Sequence, residues 1–118
     1  MNSKLAASAV GILLGAGALI GTAAPAFADN SARITGALAV FTPGGDVFRL
    51  YDTACDGDPV YLKYWIHGRE TRHDHSGGCG THATYNLNLN RGVRVEFQAC
   101  RNVRFAPDSC SGKATAIA

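Results

Sequence analysis

Three histidines in the second half of the chain have the clearest potential for chemistry. His73 and His75 are separated by Asp74, and His82 follows beyond a glycine-rich stretch. Residues at positions i and i+2 of an extended chain point to the same side, so His73 and His75 would present paired imidazoles. Imidazole is a common ligand of zinc and copper. The spacing therefore indicates, as one alternative, a metal-binding protein that uses His73, His75 and His82. The competing interpretation is a solvated loop whose histidines bind nothing.

The carboxylates and serines of the sequence give weaker evidence for metal binding or catalysis. Asp52, Asp56 and Asp58 cluster near a cysteine, but the calcium-loop spacing of an EF-hand is absent, and Asp-Gly and Asp-Pro are ordinary turn sequences. No serine lies in the Gly-x-Ser-x-Gly sequence of a hydrolase nucleophile elbow. We therefore expect a protein with no catalytic activity of its own and no cofactor.

One predicted strand carries a second group of candidate binding residues. Every second residue of the segment 60–67 is apolar, which predicts a strand with one buried face. The segment 46–51 alternates in the same way. If these two strands pair, their outward residues form one patch of aromatic and cationic side chains: Arg49, Tyr51, Tyr61, Lys63, Trp65 and His67.

Such a patch favours a binding function. Tyr, Trp and Arg contribute much of the binding energy at protein interfaces, and flat aromatic rings also stack on sugars. We therefore expect a non-enzymatic binding or interaction module whose partner is an extracellular protein or a wall polymer. The alternative is that Trp65 belongs to the core, because a two-sheet fold buries parts of both faces of a strand.

Alternating residues predict β-strands through most of the chain. Segments 84–90 and 93–99 flank the turn residues 90–92 and predict one hairpin, while 34–41 and 46–51 flank 42–45 and predict another. A short last strand is expected at 114–117, and a polar loop at 68–81. About six short strands with Gly, Pro and Asn turns predict an all-β fold, either a small two-sheet β-sandwich or a partly open barrel.

The N-terminal residues 1–28 have the features of a secretory signal peptide. Lys4 precedes an uncharged run at 5–20, and Ala26-Phe27-Ala28 fits a cleavage site. Removal leaves one secreted domain, 29–118, with ten basic and nine acidic residues and a formal charge of +1. This charge is too small to favour nucleic acid or an anionic membrane as the partner.

Four cysteines remain after cleavage: Cys55, Cys79, Cys100 and Cys110. An even number in a small exported domain predicts two disulfides. Three pairings are compatible with the sequence. We favour Cys55–Cys79 and Cys100–Cys110, because the turn residues 106–109 would fold Cys110 back beside the strand that carries Cys100.

Three motifs carry a resemblance to known proteins: Cys-Asp-Gly-x-x-Val-Tyr at 55–61, Gly-Cys-Gly-Thr at 78–81, and Val-x-Phe-x-Ala-Cys at 95–100 with the final Cys110. The chain resembles a group of short secreted actinobacterial proteins, which implies a two-disulfide β domain released into the medium and implies no activity. In size, class and disulfide number it is also similar to the α-amylase inhibitors of streptomycetes. Their Trp-Arg-Tyr triplet has no counterpart here. A secreted hydrolase inhibitor is therefore a further alternative function.

Overall fold

The computed structural model of the protein describes residues 30–118, which form two antiparallel β-sheets packed face to face. This range contains nine strands: β1 (Ser31–Ile34), β2 (Ala37–Thr42), β3 (Val47–Asp52), β4 (Val60–Ile66), β5 (Arg69–His75), β6 (His82–Asn86), β7 (Arg94–Arg101), β8 (Ser109–Cys110) and β9 (Ala114–Ile117). The four-stranded sheet has the order β1-β2-β3-β6. The five-stranded sheet has the order β5-β4-β7, with β8 and β9 both paired to β7.

The predicted all-β, two-sheet, two-disulfide fold is confirmed for these residues, and the sheets do not close into a barrel. The predicted signal peptide lies outside the described range. Between residues 30 and 118 there is no helix long and apolar enough to cross a bilayer.

Aromatic side chains from both sheets fill the centre of the core. The ring of Phe48 lies 4.9 Å from that of Phe41, 5.0 Å from that of Phe97 and 5.2 Å from that of Tyr64, measured between centroids. Tilted and offset contacts at these distances are the favoured arrangements of aromatic pairs. Because Phe48 belongs to β3 and Phe97 to β7, the cluster joins the two sheets. The predicted apolar face of the 60–67 segment is confirmed, since its inward residues up to Tyr64 are buried.

The hairpin predicted for 84–90 and 93–99 is wrong. Its two strands belong to different sheets, because β6 pairs with β3 and β7 pairs with β4. The turn at 90–92 therefore carries the chain from one sheet to the other. Alternation identifies a strand with one apolar face, but both sheets offer an edge to such a strand.

The polar loop predicted for 68–81 is a strand in its first half. β5 pairs with the whole length of β4, from Ile66↔Arg69 to Val60↔His75. Positive φ angles of 51° at His67 and 76° at Gly68 close this hairpin in two residues, as in a type I′ turn. The sequence does not predict β5 because all seven of its residues are polar or charged, which is typical of an edge strand.

The N-terminal segments follow the prediction with one change. Of the predicted segment 34–41, Ile34 is the last residue of β1, Thr35-Gly36 form a turn, and the rest belongs to β2, which pairs with β1. The hairpin across 42–45 is confirmed as β2–β3, with Thr42 opposite Val47. The positive φ in this turn occurs at Asp46, at 55°. The expected final strand is β9.

Both favoured disulfides are present. Cys55–Cys79 links the connection between β3 and β4 to the connection between β5 and β6, with a Cα–Cα distance of 4.8 Å. Both connections cross between the sheets, so this bond holds two crossovers together. Cys100–Cys110 joins directly opposed residues of β7 and β8 within one sheet.

Candidate binding surface

The structure separates the predicted patch into two surfaces. β3 lies between β2 and β6, so it does not pair with β4, and the predicted pairing of 46–51 with 60–67 is wrong. Arg49 and Tyr51 lie on the outer face of the four-stranded sheet, whereas Lys63 and Trp65 lie on the outer face of the five-stranded sheet. We call the latter surface the Trp65 face. Its members are Lys63, Trp65, Glu70, Arg72, Arg94, Glu96 and Lys113.

Trp65 is half-buried on this face and is not part of the core. In the strand register, Glu70 of β5 and Glu96 of β7 lie directly on either side of it. The Lys63 ammonium is 5.6 Å from the centre of the indole ring, and the Lys113 ammonium is 4.1 Å from it. Cations at such distances are attracted by the π-electrons of the ring. Trp65 therefore forms an aromatic platform at the surface with cations above it.

An open depression of about 490 Å³ adjoins the platform. Trp65 forms one wall, His67 and Gly68 of the β4–β5 turn form a second, and the residues from Arg91 to Arg94 form a third. Arg94 pairs with Glu96 at 3.2 Å; the Arg94 side chain is 65% exposed and that of Glu96 37%. With Lys63 and Lys113 over the ring, the charged groups around Trp65 carry an excess of positive charge.

Tyr61 does not join this surface, although the sequence predicted it there. It is only 3% exposed, because the Arg72 guanidinium lies 3.6 Å from the centre of its ring. Its hydroxyl donates to Asp108 Oδ2 at 2.7 Å. Burial, followed by this hydrogen bond, raises the pKa of Tyr61 to about 12. Tyr61 therefore fixes the segment before Cys110 to the sheet instead of contacting a ligand.

Arg72 is held in place over that ring by a second contact. Its Nε donates to Asp74 Oδ1 at 2.7 Å, and this hydrogen bond raises the pKa of the Arg72 guanidinium. Both groups are on β5 and two residues apart, so they lie on the same side of the strand. The pair closes the part of the outer face that adjoins Tyr61.

The three histidines occupy separate environments. His73 is stacked between Tyr64, at 5.7 Å, and Tyr85, at 4.3 Å, in the space between the sheets. His75 shares a hydrogen bond of 2.8 Å with Thr81 Oγ1. The ring of His82 is 5.2 Å from that of Tyr51, on the outer face of the four-stranded sheet. Among residues 30–118 no group of three His, Cys, Asp or Glu side chains is arranged to hold a metal ion.

The aspartates near Cys55 serve a turn, as the sequence suggests. Asp56 Oδ1 accepts from the Asp58 backbone amide at 3.0 Å. Asp56 Oδ2 lies 3.6 Å from the guanidinium of Arg101 on β7, and Asp58 Oδ2 lies 3.8 Å from it. Arg101 also donates to the Thr35 carbonyl at 3.2 Å, so it connects the end of β7 to two turns.

The sequence did not predict a second, more apolar cleft. It lies between the sheets, has a volume of about 440 Å³, and is lined mainly by Tyr64, Ile66, Leu87 and Leu89, with His67 and Arg69 at its edge. Asp46 orders one wall, because its carbonyl accepts from the Leu87 amide at 2.8 Å and its carboxylate from the Leu89 amide at 3.1 Å. The alternation of residues 85–89 is the sequence signal for the apolar wall of this cleft, but the same alternation predicted the incorrect hairpin with 93–99.

Fold and surface together define a two-disulfide antiparallel β-sandwich with an aromatic and cationic outer face. Comparison of the chain with protein-family models, curated proteins and solved structures found no match.

Proposed function

We propose that this protein is a non-enzymatic extracellular binding module whose ligand is an acidic, sugar-containing polymer such as a wall polymer. The observation that carries the proposal is the placement of Trp65, half-exposed beside an open depression and under two lysine ammonium groups. The two disulfides support an extracellular location, because such bonds persist in oxidising compartments.

The chemistry of the Trp65 face favours an anionic ligand with rings. An indole plane gives a sugar ring a stacking surface. The Lys63 and Lys113 ammonium groups lie over the ring, and Arg91 and Arg94 line the adjoining depression. Against these four cations stand the two carboxylates of Glu70 and Glu96. A ligand carboxylate or phosphate can draw the Lys113 ammonium off the ring at small cost, since an exposed cation–π contact is worth only about 0.5–1 kcal/mol. The shallow, open shape suits a chain that crosses the face.

Trp65 fluorescence provides a direct test, because this is the only tryptophan in the sequence. Polygalacturonate and a purified teichoic acid are titrated into the protein, with neutral dextran as the uncharged comparison. We expect the acidic polymers to change the Trp65 emission and dextran to have little effect. Raising the salt concentration should weaken the response, because the charges are exposed and screened.

Variants locate the site. Trp65→Ala, followed by calorimetry, should weaken binding by about fivefold, and Lys113→Gln by a smaller factor, since one stacking contact contributes about 1 kcal/mol. Arg49→Gln removes a cation from the outer face of the other sheet and should leave binding unchanged. Circular dichroism confirms that each variant is folded, and Trp65→Leu, which keeps apolar volume without a flat ring, replaces Trp65→Ala if the latter is not. Equal binding of dextran and polygalacturonate, or no binding of either acidic polymer, would disprove the proposal.

A further inference from the structure

The loop between β7 and β8, residues 102–108, presents a fully exposed aromatic side chain. Phe105 is 99% exposed, and the only other exposed large hydrophobic side chain among residues 30–118 is Ile117, at 52%. Ala106 and Pro107 beside it are also exposed, as is Arg104. Single exposed apolar residues are common on protein surfaces, but a benzyl group entirely in water loses all of the stabilisation that its burial would bring.

Both ends of this loop are firmly held. Cys100 and Cys110 are joined by a disulfide and face each other in the β7–β8 register, next to the pair Arg101↔Ser109. The Asn102 amide donates to the Pro59 carbonyl at 2.9 Å, and the Tyr61 hydroxyl donates to Asp108 at 2.7 Å. The tip is therefore presented on a closed, pre-formed loop, so little conformational entropy is lost when it is bound.

The fold gives no reason for phenylalanine at this position. Phe105 has a φ of 60°, in the left-handed region that glycine and asparagine adopt with least strain. A bulky aromatic residue is disfavoured there and, being fully exposed, does not recover the cost by packing. Strain combined with exposure points to selection for contact with another molecule.

We propose that the 102–108 loop is a protein-docking site in which Phe105 enters an apolar pocket with an acidic rim on a partner protein. Aromatic side chains that fill a desolvated pocket are typical energetic centres of protein interfaces. Arg104, next to Phe105, favours an acidic rim, while the carboxylate of the same loop, Asp108, accepts the hydrogen bond from the Tyr61 hydroxyl. The site lies outside the Trp65 face and does not depend on the polymer-binding function.

Two other occupants fit the observations less well. A bilayer surface is a poor partner, because membrane binding scales with buried apolar area and the tip offers a single large apolar group. A second copy of this chain offers the cleft beside Leu87 and Leu89, but that cleft is also lined by Arg69, which has the same charge as Arg104. Like charges brought together at an interface oppose association.

The test begins with the purified protein immobilised away from the loop and exposed to the extracellular protein fraction of the cells that produce it. A captured protein is then purified, and its Kd is measured for the unmodified chain and for variants. We expect Phe105→Ala and Phe105→Gly to weaken Kd by at least roughly thirty-fold, Phe105→Trp to retain binding, and Arg104→Glu to weaken it. Ile117→Ala, the matched change at the other exposed hydrophobic residue, should alter Kd by less than about twofold.

Phe105→Gly separates docking from folding, because glycine accepts the positive φ and should leave the melting temperature equal or higher. Phe105→Gly should also leave the Trp65 fluorescence response to polygalacturonate unchanged, and Trp65→Ala should leave protein docking unchanged. The proposal is overturned if no protein is captured, if capture is indifferent to Phe105, if sedimentation shows Phe105-dependent self-association, or if the loop binds only phosphatidylglycerol vesicles.

Discussion

At the scale of single residues, two aromatic residues on the same face of β4 have opposite roles. Tyr61 and Trp65 both point outward from β4, yet Tyr61 is buried and Trp65 is half-exposed. Tyr61 is covered by Arg72 and by the segment around Asp108, which the Cys100–Cys110 disulfide folds back over the sheet. Trp65 lies two positions beyond Lys63 on the same face, and the Lys63 and Lys113 ammonium groups lie over its ring. One aromatic residue therefore supports the loop while the other remains accessible to a ligand.

An alkaline titration tests the role of Tyr61. Its pKa is raised to about 12 from the ordinary 10.0. The ionised form is thus disfavoured more in the folded than in the unfolded chain, so its contribution to stability is fully present below about pH 10 and is lost as the pH rises through about 12. Tyr61→Phe should remove the highest step of the tyrosine absorbance titration and lower the free energy of unfolding at neutral pH by about 1 kcal/mol.

Asp108→Asn is the matched change for this test. It removes the carboxylate charge and should bring the pKa of Tyr61 down toward its ordinary value, because the hydrogen bond to that carboxylate and its charge both raise it. If the highest titration step persists in Tyr61→Phe, the assignment of that step to Tyr61 is wrong.

At the scale of the elements, β4 is the strand that organises the candidate site. It pairs along its whole length with β5 on one side and with β7 on the other. The register places Glu70, Lys63 and Glu96 around Trp65, and the tight β4–β5 turn supplies a wall of the depression. The turn depends on two successive positive φ angles, at His67 and Gly68.

Gly68→Ala tests that turn. Gly68 has a φ of 76° and open space around it, so an added methyl group meets no neighbour and its cost is conformational. We expect a loss of about 1 kcal/mol in the free energy of unfolding measured by urea denaturation. Gly44→Ala, at a glycine with open space and no positive φ, should change stability much less. Equal losses in the two variants would contradict a left-handed requirement at Gly68.

At the scale of the whole molecule, the two disulfides stabilise different parts of the fold. Cys55–Cys79 connects two crossovers between the sheets and spans 24 residues of sequence. Cys100–Cys110 spans 10 residues within one sheet and closes the loop that presents Phe105. The first therefore stabilises the packing of the sheets, and the second shapes a surface.

Paired Cys→Ala variants test this division. From chain entropy, removing Cys55–Cys79 should cost about 3.5 kcal/mol and removing Cys100–Cys110 about 3 kcal/mol, both large for a small domain. Guanidinium unfolding followed by circular dichroism gives the comparison. The Cys100→Ala/Cys110→Ala variant should retain the Trp65 response to polygalacturonate, since the Trp65 face lies outside the closed loop. Loss of that response in a folded variant would contradict the division.

The sequence by itself determined the features that depend on local pattern and on the properties of individual residues. Alternation is expressed along a single strand, so the apolar face of β4, the placement of Lys63 and Trp65 on its opposite face, and the all-β class followed from it. The spacing of the cysteines and the turn before Cys110 favoured the disulfide pairing that the fold contains.

Only the tertiary structure decided which strands are neighbours and which outward residues stay exposed. β6 and β7 both have one apolar face, and their pairing with β3 and β4 in different sheets depends on partners far apart in the chain, which no local window contains. β5 carries no apolar alternation because it is an edge strand, and it became recognisable only by its pairing with β4. Tyr61 on β4 is buried and Phe105 is exposed because the Cys100–Cys110 disulfide closes a loop whose Asp108 end lies on Tyr61, while its tip stays in solvent. The sequence shows where the aromatic residues lie along the chain. Which of them face solvent depends on this long-range constraint, which only the tertiary structure contains.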